Sequence, residues 1–137
     1  METSDKLEIQ ELLSRAAYYF DERRLDELGE CFAPDARMLV HINDVGDVGP
    51  FEGREAIRKL MADTLASQTD VRRHVISNFF FEEEADDAAT VVSSLVVFSI
   101  ENGEIKVIIS GIYRDRVVKN GGTWQIGDRY LALDLPF

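Results

Sequence analysis

The chain has 137 residues, 45% of them hydrophobic and only 12 Gly or Pro (9 and 3), which is the length and composition of one folded domain, 1–137, that can bury its own core. Fifteen Lys and Arg against 26 Asp and Glu leave a net charge of −11 with both His neutral, a field that disfavours nucleic acid and anionic lipid as partners. The single Cys31 excludes an internal disulfide and a thiolate-rich metal site; no apolar run reaches the roughly 18 residues of a membrane span, and the polar start METSDKLEIQ is unlike a secretory signal, so a cytoplasmic protein is expected.

The first third reads as helical. Leu7, Ile9, Leu12, Leu13, Ala16, Ala17 and Phe20 fall mainly on one helical stripe, with Ser4 as the expected N-cap. Asp21-Glu22-Arg23-Arg24 interrupts the pattern. A short second helix follows, with Leu25, Leu28, Cys31 and Phe32 inward, and Ala33-Pro34-Asp35 closes it. Arg37 to Ile42 reads as a short strand, and Asn43 to Phe51, with two Gly and one Pro, as a loop. From about Arg54 to Ser67 the positions Ile57, Leu60, Met61, Thr64 and Leu65 predict a third helix.

After Gln68 the period changes from 3.6 to 2. Arg72–Glu84, Ala88–Glu101, Ile105–Lys119 and Thr123–Leu135 are four long strand candidates rich in Val, Ile, Phe and Tyr. Asp86-Asp87, Asn102-Gly103 and Asn120-Gly121-Gly122 mark the turns between them, which predicts an antiparallel meander. Strands of this length are expected to twist and curl strongly. The predicted fold is therefore α+β: a cone of three N-terminal helices packed against a strongly curved, mostly antiparallel sheet, with an internal cavity suited to a small molecule.

His74 shares a strand face with Ile76, Asn78 and Phe80, a pattern that suits a pocket wall with two hydrogen-bonding groups; the same spacing also fits a structural His at a sheet end. Asp21 stands at the C-terminal end of the first helix, where a carboxylate opposes the helix dipole. It reads as a surface acid unless it pairs with an imidazole. Such a pair makes a general base: a carboxylate on one ring nitrogen fixes the tautomer and stabilises the imidazolium once formed. A carboxylate-to-ring distance within about 3.2 Å, facing a cavity, would mark it. Tyr18 or Tyr19 could then donate to a developing oxygen charge.

The other chemistry-bearing residues read as structural. His41 fits an exposed or structural role, and no HxH or HExxH spacing supports a metal. Asp44 and Asp47 lack calcium-loop spacing. No Gly-rich stretch precedes a helix as a phosphate loop does. Cys31 reads as an inert buried thiol and Trp124 as a core anchor. Tyr113, Arg114, Asp115 and Arg116 read as ordinary sheet packing with a solvated charge lattice. Arg129 is placed opposite the face of Trp124, Ile126, Asp128 and Tyr130, and Asp128 is a rival acidic candidate.

The order of a helix ending in Asp21, then CFAPDARM, FEGREAIRKLM, RRHVISN, SGIYRDRVVKNGGTW and QIGDRY resembles the SnoaL-like branch of the NTF2-like superfamily over nearly the whole chain. The branch includes proteins similar to scytalone dehydratase, a bile-acid dehydratase and a hexachlorocyclohexane dehydrochlorinase. By that resemblance His74 is the base and Asp21 its partner, while no later His matches the second catalytic His of scytalone dehydratase. Steroid-isomerase relatives instead carry a carboxylate base on the later strands, the role Asp128 would take. The resemblance implies a cofactor-independent lyase or isomerase, with dehydratase-type elimination favoured over isomerisation or cyclisation. Its substrate would be a small, largely apolar molecule of polycyclic, polyketide or steroid-like kind. His74, Asp21, Tyr18 and Tyr19 would be catalytic, and Asn78, Ile76, Tyr130 and Asp128 would bind substrate, with no metal and no cofactor. A homodimer or higher homo-oligomer is expected. The alternative is a non-catalytic small-ligand binder or a partner like the beta subunit of aromatic-ring dioxygenases.

Overall fold

A computed structural model describes residues 1–136. The elements run α1 (Thr3–Asp21), α2 (Leu25–Glu30), β1 (Phe32–Ile42), β2 (Gly46–Glu52), α3 (Arg54–Ala66), β3 (Val71–Glu84), β4 (Ala88–Glu101), β5 (Glu104–Asn120) and β6 (Thr123–Leu133). The three helices and the four long strands fall where the periodicity puts them. Two details differ in the middle of the chain. Pro34 lies inside β1, which starts directly after α2, and the Gly-rich stretch expected as a loop pairs back on β1 as β2.

The six strands form one sheet in the order β2-β1-β6-β5-β4-β3. All pairings are antiparallel except β1 with β6, which is parallel. This corrects the expectation of a strongly curved, cone-like sheet. The sheet is open, with β2 and β3 at opposite edges and no pairing between them. Strand length implies twist, but closing a cone also requires the two edge strands to approach each other, and β2 and β3 stay apart at opposite ends of the strand order. The core is closed by helices laid on one sheet face rather than by the sheet itself. Ile9, Leu13 and Ala16 of α1, Leu28 of α2 and Ile57 and Met61 of α3 meet Val91, Val117, Trp124 and Ile126 of the sheet. Leu95, Val97, Tyr113, Leu131 and Leu133 form a second cluster further along the strands.

Asp5, rather than Ser4, organises the start of α1. Its carboxylate accepts the Glu2 amide at 2.9 Å, the Trp124 indole N–H at 3.1 Å and the Lys119 ammonium at 3.2 Å. These bonds tie the helix start to β5 and β6, and they hold the Asp5 pKa below the ordinary carboxylate value, the Glu2 amide first and the indole next.

Two register breaks each reverse the inside-outside parity of a strand. In β3, Ser77 pairs Ser94 but Phe80 pairs Val92, so one extra residue stands at Asn78–Phe79, and Asn78 has a left-handed φ of 57°. His74 and Ile76 face inward before it; Phe79 and Phe81 pack on the core after it, and Phe80 is exposed. In β6, Ile126 pairs Val117 and Asp128 pairs Arg116, leaving Gly127 unopposed. Trp124 and Ile126 are buried before Gly127; Arg129, Leu131 and Leu133 are buried after it. Among the described residues no helix is long and apolar enough to cross a membrane.

Candidate active site

The C-terminal end of α1 is fixed before any chemistry is placed on it. Arg23 adopts a left-handed φ of 60°, and the Arg24 amide donates to the Tyr19 carbonyl, which ends the helix. The Arg23 guanidinium then donates to the carbonyls of Leu65 (3.0 Å) and Gln68 (3.2 Å), joining the ends of α1 and α3. Asp21, the last residue of α1, is thereby held beside the start of β3.

There it meets His74. Asp21 Oδ1 lies 2.6 Å from His74 Nδ1, and Asp21 Oδ2 accepts the His74 backbone N–H at 2.7 Å. The His74 side chain is 11% exposed and that of Asp21 6%. With Asp21 ionised, Nδ1 carries the proton and donates it, so Nε2 is the basic nitrogen. Phe20 packs on the ring with centroids 5.0 Å apart.

His74 lines a pocket of about 210 Å³ between the helices and the sheet. The pocket lies where the two core clusters leave space. Ala16, Phe20 and Met61 bound it on the helix side, and Leu95, Ile109 and Leu131 on the sheet side. Few polar groups reach it, the main ones being His74, Arg72, Tyr113 and Arg129. A mostly apolar wall with a few convergent polar groups is the usual form of a small-molecule site.

Tyr113 and Arg129 belong to a buried group that the spacing had assigned to ordinary packing and a solvated face. Arg129 Nε and Nη2 donate to the two Asp115 oxygens at 2.8 and 3.1 Å, with the side chains 4% and 0% exposed. The guanidinium lies 4.1 Å from the Tyr113 ring centroid. Burial works against the charge on Arg129; Asp115 more than offsets it, so its pKa lies above the ordinary guanidinium value. Burial also pushes the Tyr113 pKa up, with Arg129 opposing. The Tyr113 hydroxyl makes no hydrogen bond to a described residue.

The remaining site candidates lie elsewhere. Tyr18 is 54% exposed, and the Tyr19 hydroxyl accepts from Arg15 at 3.1 Å; neither lines the pocket. Helical periodicity turns Ala16, Ala17 and Phe20 to the pocket and rotates the two Tyr away. Ile76 packs on the second core cluster without lining the pocket, and Asn78 is exposed at its bulge. Asp128 and Tyr130 lie on the sheet face opposite the pocket, because Gly127 reverses the parity that would have put them inside; Arg129 takes the inward place. His41 Nδ1 is 2.7 Å from Asp47 Oδ1 across β1 and β2, with both side chains well exposed. Cys31 is buried, and burial pushes its thiol up to about 11. Among the described residues no group of three His, Cys, Asp or Glu is arranged to hold a metal ion.

Comparison with known proteins matches residues 1–130 to the SnoaL-like domain. An uncharacterised protein of Mycobacterium tuberculosis is 29% identical over 126 residues, 91% of this chain and 82% of its own length. A Nostoc punctiforme protein of unknown function with a cystatin-like fold superposes with a TM-score of 0.82 at 27% identity, over 99% of this chain and 97% of that one. A candidate scytalone dehydratase from Novosphingobium aromaticivorans superposes with a TM-score of 0.79 at 22% identity, over 96% and 85% of the two chains, which is a likeness of fold.

Proposed function

The chain belongs to the SnoaL-like family of the NTF2-like superfamily, and on that premise we propose that it is a cofactor-independent lyase or isomerase that abstracts a proton from a small, largely apolar carbonyl compound. The observation that carries this reading is the Asp21–His74 clamp beside an apolar pocket. His74 Nε2 accepts a proton from carbon next to the carbonyl, and the electron pair moves towards the carbonyl oxygen. Asp21 stabilises the imidazolium across Nδ1. The Tyr113 hydroxyl donates to the oxygen that gains charge, in place of the expected Tyr18 or Tyr19. Arg129 packs over the face of that ring and holds it in place, its own charge balanced by Asp115.

Elimination then follows from the enolate. The enolate re-forms its carbonyl and a C=C bond, the β carbon–oxygen bond breaks, and the imidazolium proton passes to the leaving hydroxide as water. Return of the proton to a different carbon would give isomerisation from the same first step. The apolar lining favours a substrate whose body is hydrocarbon.

The test is a panel of cyclic β-hydroxy ketones, followed by the ultraviolet absorbance of the conjugated enone. Wild-type protein is expected to form enone with at least one member, and His74→Ala to form none above buffer. Equal turnover by wild type and His74→Ala would sink the reading. Stoichiometric binding without turnover across the panel would favour the ligand-binding alternative.

A further inference from the structure

His74 stands at the junction of two cavities of opposite character. Beside the apolar pocket lies a polar cleft of about 360 Å³, formed by the end of α1, the α3–β3 connection and the start of β3. Phe20, Gln68, Arg72 and His74 line both. A ligand that fills the pocket can therefore extend past the imidazole into the cleft.

The free and engaged polar groups of that cleft determine what such an extension must carry. Its carboxylates are already engaged. Both Asp21 oxygens are taken by His74, Asp70 accepts from Arg72 Nε at 3.0 Å and from Ser99, and Glu22 pairs with Arg73 at 3.4 Å. The Arg23 guanidinium is spent on two backbone carbonyls. What remains at the shared wall is a set of donors: Arg72 Nη1 and Nη2 and the Gln68 side-chain amide make no hydrogen bond to a described residue. Asp70 holds Arg72 by its Nε, so the outer edge of the guanidinium is pre-oriented, and the side chain is only 20% exposed. An edge of two parallel N–H groups matches a carboxylate. In the cleft Arg23, Arg72 and Arg73 balance Asp21, Glu22 and Asp70 in formal charge, so one free guanidinium edge suits a monoanion rather than a dianion.

We propose that the substrate is an amphipathic carboxylate, its apolar body in the pocket and its carboxylate on Arg72, with Gln68 as a second donor. This deepens the catalytic reading above and rests on it for the identity of the pocket, but its test needs no turnover. The probes are 2-naphthoate and the neutral 2-acetylnaphthalene, which share an apolar body and differ in charge. Calorimetry on wild-type protein is expected to show naphthoate binding tighter by about tenfold, the worth of a charge-assisted pair. Arg72→Gln should abolish that preference while leaving the affinity for acetylnaphthalene within about twofold. Because Arg72→Gln strands Asp70, the double variant Asp70→Asn, Arg72→Gln is measured beside it and should lose the preference equally. His74→Asn, whose side-chain amide can still donate to Asp21 but has no basic nitrogen, should keep the preference, which separates this result from any failure of the catalytic reading. No naphthoate binding to wild type, equal affinity for the two probes, or a preference that survives both Arg72 variants would overturn the proposal.

Discussion

Asp21 holds His74 twice, once through the ring at 2.6 Å and once through the backbone amide at 2.7 Å. The two bonds share one carboxylate, so the position of the strand and the tautomer of the ring are set together. Asp21→Asn separates the two functions. The amide oxygen can still accept the His74 N–H, but the NH₂ group would then face Nδ1 and drive the ring proton to Nε2, the nitrogen needed as base. Turnover is expected to fall by about 10⁴-fold, as for a base held in the wrong tautomer. Steady-state kinetics on an enone-forming substrate checks this, and nitrogen NMR of the imidazole checks the tautomer directly.

Tyr113→Phe keeps the ring beneath Arg129 and removes only the hydroxyl. If the hydroxyl meets charge that develops in the transition state, kcat falls by about 10²-fold with KM little changed. A fall in affinity at constant kcat would instead make Tyr113 a ground-state contact. Burial raises the Tyr113 pKa, so the hydroxyl stays protonated through neutral and mildly alkaline pH. The pH profile of wild type should accordingly show no loss in that range that Tyr113→Phe removes.

The Arg129–Asp115 pair is a cost that the fold meets by pairing. Asp115→Ala leaves a guanidinium buried without its counter-charge, and destabilisation of about 3–5 kcal/mol is expected. Replacing both, Asp115→Leu with Arg129→Met, should recover most of that loss, since a buried ion pair is often no better than apolar groups of similar volume. Urea unfolding of the two proteins makes the comparison. Equal loss in both would show that the pair contributes net stability.

How much of this was legible in the sequence turns on two residues. The helices, the turns and the position of His74 on an inward strand face follow from period and turn chemistry. His74 and Trp124 were placed correctly because each precedes the irregularity in its strand. Phe80, Asp128 and Tyr130 were placed on the wrong face because Asn78 and Gly127 each reverse the alternation. A one-residue bulge flips every later side chain, and nothing in local hydrophobicity marks it. The available signals were the small or polar residues themselves: a lone Gly inside a strand pattern, and an Asn able to adopt positive φ. The same miss hid Arg129. Once it is turned inward, Asp115 opposite it on β5 becomes its buried counter-charge and Tyr113 stands beside it in the pocket wall. The openness of the sheet was likewise not legible, because strand length alone does not say whether the two edge strands will meet.

Acid should weaken the junction between the start of α1 and the last strands. The Asp5 pKa is held below its ordinary value by the Glu2 amide and the Trp124 indole. A carboxylate with a lowered folded-state pKa adds stability that is fully present above the unfolded value, near 3.9, and is lost as pH falls through the folded one. Stability should therefore drop in the window below about pH 4. Asp5→Asn lacks this titration, so its stability should vary less with pH over that window while being lower at neutral pH. Thermal unfolding followed by Trp124 fluorescence between about pH 2.5 and 7 reads both effects. Parallel pH curves for wild type and Asp5→Asn would remove Asp5 as the acid-sensitive tie.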